Sequence, residues 1–179
     1  MAHSDRLFPS IETERLLLRR RTPDDANSLF VALSDAGLMK WWSRAPFDSV
    51  DEVIEDFIRK DNDSDWRAWA VTVKGNDRAI GFVATGEKRV GVYEIGYLLI
   101  PEAAGRGIAH EAMIGLINLI FEEGNRRVFA DTDPDNKESI ALLNRLGFIL
   151  EGRLRNEWYT HIGVRDSLIF GMIADDWKK

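Results

Sequence analysis

Residues 93–124 read YEIGYLLIPEAAGRGIAHEAMIGLINLIFEEG, and the fold turns on this stretch. Residues 94–100 are short, β-rich and largely apolar, the pattern of a buried strand, and Pro101 stops it. A turn of small residues, AAGRGIA, follows at 103–109. Beyond it the period changes: Ile108, Ala112, Leu116 and Ile120 fall on one helical face, with Met113, Ile117 and Phe121 beside them. Gly124 is the expected stop. Strand, glycine turn and helix is an arrangement that offers backbone N–H groups to a phosphate. The first turn of a helix has orphan donors and a partial positive charge, and glycine lets a ligand approach the backbone. Arg106 adds a formal charge at the same place. The plainer reading is a tight turn with an exposed arginine, and the glycines alone do not decide between the two.

The whole chain narrows the choices. Its 179 residues predict one domain over 1–179, with a polar, disordered tail at 1–10. Hydrophobic content of 45% and charged content of 30% are those of a soluble globular protein. No apolar run reaches the roughly 20 residues that span a bilayer, and the N-terminus lacks an apolar signal core, so a cytoplasmic protein with no membrane partner is expected. The chain has no cysteine, which excludes disulfides and thiolate chemistry; His3, His110 and His161 are scattered, so no metal site is expected. A net charge of −6 argues against nucleic acid as a partner. An anionic ligand would then need a local basic site, and Arg106, His110, Arg126, Arg127, Lys137 and Arg145 could supply one or could be solvated surface charges.

In chain order, ERLLLRRR at 14–21 reads as a first strand. Thr22, Pro23, Asp24 and Asp25 open a helix carrying Leu29, Phe30 and Leu33. An aromatic cluster at Trp41 and Trp42 precedes a capping box at Ser49 and Glu52, which opens a second helix through Val53, Ile54, Phe57 and Ile58. A polar turn at 61–65 leads into a three-stranded meander over 66–73, 79–84 and 94–100, with residues 87–89 in a loop. After Gly124 come a strand at 127–132, a helix carrying Ile140, Leu142, Leu143 and Leu146 with Gly147 as its C-cap, and a strand from Phe148 toward Leu154. Residues 158–163 read as a loop and 165–173 as the last strand. A strand, helix and strand of this length imply a parallel pair with a right-handed crossover, within a mixed α/β layer structure.

Taken together, these residues resemble the GCN5-related N-acetyltransferase superfamily, and within it the branch containing the ribosomal-protein-alanine N-terminal acetyltransferases. The resemblance covers nearly the whole chain: ETERLLLR at 12–19, IGYLL at 95–99, GRGIA at 105–109, NKESIALL at 136–143, Gly147 and Phe148, and Asp176 and Trp177. It implies a mixed α+β fold whose central, mostly antiparallel sheet of about seven strands contains a splayed parallel pair, with helices on both faces. The family pattern begins the phosphate turn with Gln or Arg; here that position is Ala104, while Gly107 and Ala109 match.

The resemblance implies acetyl-CoA as co-substrate and no metal. The pantetheine arm would lie between the strands ending at Ile100 and starting at Arg127, pairing with backbone groups of Leu98 and Ile100. The pyrophosphate would sit on Gly105, Arg106, Gly107, Ile108, Ala109 and His110, with Asn136 and Ser139 facing the arm from the other side. The plainer role of Asn136 and Ser139 is helix capping.

For acetyl transfer, a backbone N–H near Leu99 would hold the carbonyl oxygen. Ser139 would hydrogen-bond the departing thiolate, because the tyrosine that many relatives carry is absent and Asn144 stands in that region. Glu94 would act as a base through water, or be a solvated strand-end carboxylate. The acceptor would be an amine, on a protein N-terminus or a small molecule, met by Trp41, Trp42, Trp158, Tyr159 and His161; a homodimer is compatible with the pattern. A peptide α-amine, with a pKa of about 8 against about 10.4 for lysine, is the easier acceptor near neutral pH. Two other readings compete: a non-catalytic acyl-CoA sensor on the same fold, and a dinucleotide-binding oxidoreductase, which His110 in place of a third glycine argues against.

Overall fold

The computed structural model describes residues 8–62 and 66–177. Residues 1–7 of the expected tail, and 63–65 of the expected polar turn, lie outside the described residues.

One eight-stranded sheet organises the chain, in the order β1-β2-β3-β4-β5-β6-β8-β7. β1 (Ile11–Glu12) pairs antiparallel with β2 (Leu16–Arg20), and β2 with β3 (Trp66–Val73). The meander continues through β4 (Asn76–Arg89) and β5 (Val92–Leu99). β6 (Arg127–Thr132) is parallel to β5, and the antiparallel hairpin of β7 (Ile149–Thr160) and β8 (Gly163–Ile173) docks through β8 onto β6. The sheet has eight strands where about seven were expected. The addition is β1, whose two residues are too short to show any period. It directly follows the expected tail, whose described residues pack on the sheet: the Phe8 ring lies 5.6 Å from that of Trp69, and the Trp69 indole donates to the Pro9 carbonyl at 2.9 Å.

Among the described residues, four α-helices cover the two faces. α1 (Ala26–Leu33) follows a 3-10 turn at Pro23–Asp25, where Thr22 and Asp25 form the reciprocal cap. In α2 (Val50–Asn62) the Glu52 N–H donates to Ser49 Oγ at 3.2 Å, the first half of the expected capping box. α1 and α2 lie on one face; α3 (Ile108–Glu122) and α4 (Lys137–Leu146) lie on the other. Strand alternation sorts the core between them. Trp69 and Val71 pack with α3, whereas Ala68 and Ala70 pack with α1 and α2. On β5, Ile95 joins the α3 side and Leu98 the α1–α2 side.

Two expected loops are strand. Residues 87–89 extend β4, and residues 158–160 extend β7, so only His161 and Ile162 turn the last hairpin. Both segments are polar or exposed, so no buried face marks them in sequence.

Gly81 on β4 faces Leu99 on β5, and a Cβ there would fall onto Leu99 Cδ2 and 2.5 Å from the Leu98 carbonyl oxygen. Overpacking of this kind costs about 1–3 kcal/mol. Gly81→Ala should therefore lower the melting temperature by several degrees. An unchanged melting curve would mean that β5 can shift freely, against the rigid placement described below.

Candidate active site

The site begins where a sheet comes apart. β5 and β6 pair only over residues 92–94 and 127–129, and the last rung joins Glu94 to Phe129. Beyond it β5 stays on β4 as far as Leu99, and β6 stays on β8 as far as Thr132. The fork between them leaves one edge of β5 with unpaired backbone groups, which must find other partners.

Backbone direction decides which groups those are. The Ile100 N–H donates to Ile80 O at 3.0 Å, and Ile100 O accepts from Ala103 N at 3.0 Å. Leu98 shares that direction toward β4, because backbone groups alternate along a strand. The edge facing the fork therefore carries the N–H and C=O groups of Tyr97 and Leu99. This corrects the expectation that Leu98 and Ile100 would offer their backbone; Leu99 faces the fork toward its open end, beyond the last rung at Glu94.

The glycine turn closes one end of the fork. Gly105 and Gly107 both have positive φ, 70° and 76°, and Gly107 is the N-cap of α3 with no side chain capping the helix. The first N–H groups of α3, those of Ile108, Ala109 and His110, are thus presented as orphan donors. Arg106 is exposed beside them. Sequence reasoning missed Arg15, whose guanidinium donates to Arg106 O at 3.2 Å and pairs with Glu111 at 2.6 Å, bracing the turn against β2. Its signal was weak, since an arginine beside an apolar strand is ordinary.

Across the fork, Asn136 Oδ1 accepts from Ser139 N at 3.2 Å, so Asn136 caps α4. Its amide nitrogen keeps its donors without a protein partner among the described residues. The turn before it is clamped by Arg165 of β8, which donates to Asp133 at 2.7 and 2.9 Å and to Asp135 at 2.5 Å. That guanidinium holds the Asp133 carboxyl below its usual range despite its burial.

Tyr97 is the functional candidate that sequence reasoning missed. Its side chain leaves β5 toward α4, and its phenol faces Ser139. Burial pushes the phenol above its usual pKa, while the nearby Ser139 hydroxyl pulls it down. Asn144, in the helix region where the resemblance leads one to expect a tyrosine, is exposed and outside the cavity, whereas Tyr97 lines it from the strand. Only the facing of Tyr97 and Ser139 across the fork reveals this, and that is a tertiary fact.

Glu94 sits on the opposite face of β5. It is the third residue of the strand, at the fork's apex, and not its first. Burial raises its pKa; Lys88, 3.1 Å away, opposes the rise, and Asp131 adds to it. Glu94, Tyr97, Ser139, Asn136 and the glycine turn all line one cavity of about 1600 Å³. Trp41, Trp42 and Trp158 line it too, and the Trp158 indole donates to Asp131 at 2.9 Å. Tyr159 and His161 do not line it, and Tyr159 is exposed.

The profile of the acetyltransferase (GNAT) domain matches residues 15–149, which span the sheet from the start of β2 to the start of β7. The chain belongs to the GNAT acetyltransferase family. Among its relatives, the uncharacterized N-acetyltransferase p20 of Bacillus licheniformis is 36% identical over 154 residues, covering 82% of this chain and 86% of that protein. The crystal structure of a probable acetyltransferase of the GNAT family from Chromobacterium violaceum ATCC 12472 superposes with a TM-score of 0.88 at 27% identity, over 95% of this chain and 88% of that one. A spermidine N-acetyltransferase from Vibrio cholerae, crystallised with CoA and spermine, shares the fold with a TM-score of 0.81 at 20% identity, over 93% of this chain and 100% of that one. In GNAT terms the fork and the glycine turn are where this chain would hold acetyl-CoA, and the orphan donors of α3 fit its phosphates.

Gly107→Val tests that fit. A β-branched residue is disfavoured at a φ of 76°, so the change should tilt the α3 amides away and raise the dissociation constant for CoA tenfold or more. Calorimetry reads it directly; unchanged affinity in a folded variant would move the phosphates elsewhere.

Proposed function

We propose that the protein transfers the acetyl group of acetyl-CoA to a primary amine by direct attack. The observation that carries this is the fork: an unpaired β5 edge that leads at one end to Glu94 and at the other to uncapped helix donors. Acetyl-CoA would supply an activated thioester. The chain's own residues do the rest.

The amine nitrogen bonds to the thioester carbonyl carbon as the carbon–sulfur bond breaks. The Leu99 N–H, facing the fork, holds the carbonyl oxygen while negative charge builds there. Glu94 takes a proton from the amine through a water. Burial makes its carboxylate a better base than an exposed one, and Lys88 keeps it oriented. The departing sulfur takes its proton, or at least a hydrogen bond, from Tyr97, with Ser139 aligning the phenol. Tyr97 thus fills the gap left by the absent helix tyrosine, the gap on which the sensor reading rested. The acceptor lies on the Glu94 face, among Trp41, Trp42 and Trp158. Its amine class is open to a protein N-terminus, as the resemblance to ribosomal N-acetyltransferases suggests, or to a small amine, as in the spermidine N-acetyltransferases.

Steady-state kinetics with an amine panel tests the transfer. Tyr97→Phe should lower kcat at least tenfold with little change in the KM for acetyl-CoA, and Ser139→Ala should lower it less. A rise in KM with kcat intact would assign both side chains to binding. Wild-type protein that binds CoA but acetylates no amine would favour the sensor.

The pH profile isolates Glu94. Glu94→Gln should depress the rate most below the acceptor's own pKa, where the amine arrives protonated and must lose a proton on the enzyme. Above that pKa the defect should shrink. A defect constant across pH would mean that Glu94 positions the acceptor and does not move the proton.

A further inference from the structure

The Glu94 face of β5 continues as a trough away from the fork. Ala68, Ala84 and Gly96 are registered partners across β3, β4 and β5, forming one row of small residues. A Cβ on Gly96 would meet nothing within 4 Å, so the row is open at its β5 end. Larger neighbours border it: Trp66 and Glu94 in the row on one side, Phe82 and Leu98 on the other. All of these line the same cavity.

Arg21 stands at the far end of that row. Its N–H donates to Ala68 O at 3.0 Å, which continues β2 by one residue and fixes Arg21 opposite the row. Its side chain lines the cavity yet is only 4% exposed. The guanidinium rests 3.7 Å over the Phe57 ring and 5.7 Å from that of Phe82. Its closest carboxylate is Asp61, at 3.6 Å, and Nε has no hydrogen-bond partner among the described residues. A guanidinium has five donors and stays charged, so a buried one without good partners is an incomplete site. Burial pulls its pKa down, and Asp61, the largest opposing influence, does not cancel that.

Around it, cations outnumber carboxylates. Asp56 is met by Arg59, by Lys60 at 2.8 Å and by Arg44 at 3.8 Å. Asp61 is shared by Arg20 at 3.7 Å and Arg21. Arg20, Arg21, Arg44, Arg59 and Lys60 thus divide two carboxylates among the described residues. Asp35, also on the cavity wall, spends one oxygen on the Leu38 N–H at 2.8 Å.

We propose that Arg21 binds a carboxylate of the acceptor, which is a short amine carrying an anionic group at its other end. This rests on the acetyl-transfer reading and names its substrate class. The amine lies by Glu94 at the fork, the chain of the acceptor lies over Ala84 and Gly96, and the carboxylate meets the Arg21 guanidinium, whose Nε has no partner among the described residues. From the backbone of Arg21 at the end of β2 to β5 is three strand steps, roughly 14 Å, and the Arg21 side chain covers part of that span by reaching 5.7 Å from the Phe82 ring on β4. An extended di- or tripeptide spans about 7–10 Å, which suits the remaining span. A polyamine would bring positive charge to a wall that already has it in excess.

The test compares alanyl-alanine and trialanine with their C-terminal amides as acceptors for the full-length enzyme with acetyl-CoA. Alanyl-aspartyl-amide serves as a third arm, to separate a terminal carboxylate from an acidic side chain. The wild type should favour the carboxylates over the amides tenfold or more in kcat/KM, as expected of a buried charge-assisted pair. Arg21→Met should remove that preference by slowing the acids alone, with the amides within twofold and the KM for acetyl-CoA unchanged. Arg21→Lys should keep part of it. A wild-type ratio near one, or a preference that survives in Arg21→Met, overturns the assignment. The wild-type ratio needs no variant, so a misfolded Arg21→Met leaves the proposal exposed to it. Acetylation of all the peptides without preference defeats this inference alone, whereas CoA binding with no acetylation of any amine defeats the acetyl-transfer reading beneath it.

Discussion

The structure depends on a parallel pair that stops early. β5 and β6 share residues 92–94 and 127–129 and then part. Each strand is held by its other neighbour, β5 by β4 along its length and β6 by β8 along its length, so neither can follow the other. An exposed strand edge is normally a liability, because its N–H and C=O groups invite pairing with another chain. Here the open edge is recessed between two helical layers, α1 and α2 on one side and α3 and α4 on the other, where a narrow extended ligand can reach it and a second sheet cannot. The hydrogen-bonding need of that edge is what makes a thioester's amide-bearing arm a fitting occupant.

Much of this architecture was legible in sequence, and the reason is periodicity. The change from a short, apolar, β-rich run at 94–100 to helical spacing at 108–121, with glycines between, marked the central unit because both sides of the change are apolar. Thr22 with Asp25 and Ser49 with Glu52 marked helix starts through side chains whose capping chemistry is local. Elements without a buried face went unread. β1 is two residues long, and the outer half of β7 is exposed along its length, so neither carries a signal that outweighs its polar composition.

The candidate site was half legible, for a related reason. The glycine turn is a local motif and was read from its residues. The partners that complete the site act across the sheet. Arg15 braces the turn from β2, Arg165 clamps the α4 entry from β8, and Tyr97 meets Ser139 from β5. No spacing along the chain predicts such meetings. Backbone parity was missed too: whether Leu98 or Leu99 faces the fork depends on which residues of β5 bond to β4, and the Ile100 to Ile80 bond alone decides it.

That parity has a consequence for chemistry. Successive side chains of β5 point to opposite faces, so Glu94 and Tyr97 lie on different sides of one strand, three residues apart. In the proposed transfer, a group that accepts a proton from the amine and a group that gives one to the sulfur would neutralise each other's purpose if they touched. The strand itself keeps the two side chains apart, with its fork-facing backbone edge between them. Burial raises the pKa of both side chains, which suits the carboxylate to accept a proton and keeps the phenol protonated to give one. Under the proposed transfer, the same alternation that builds two cores on one sheet would give opposite proton duties to two faces of a single strand.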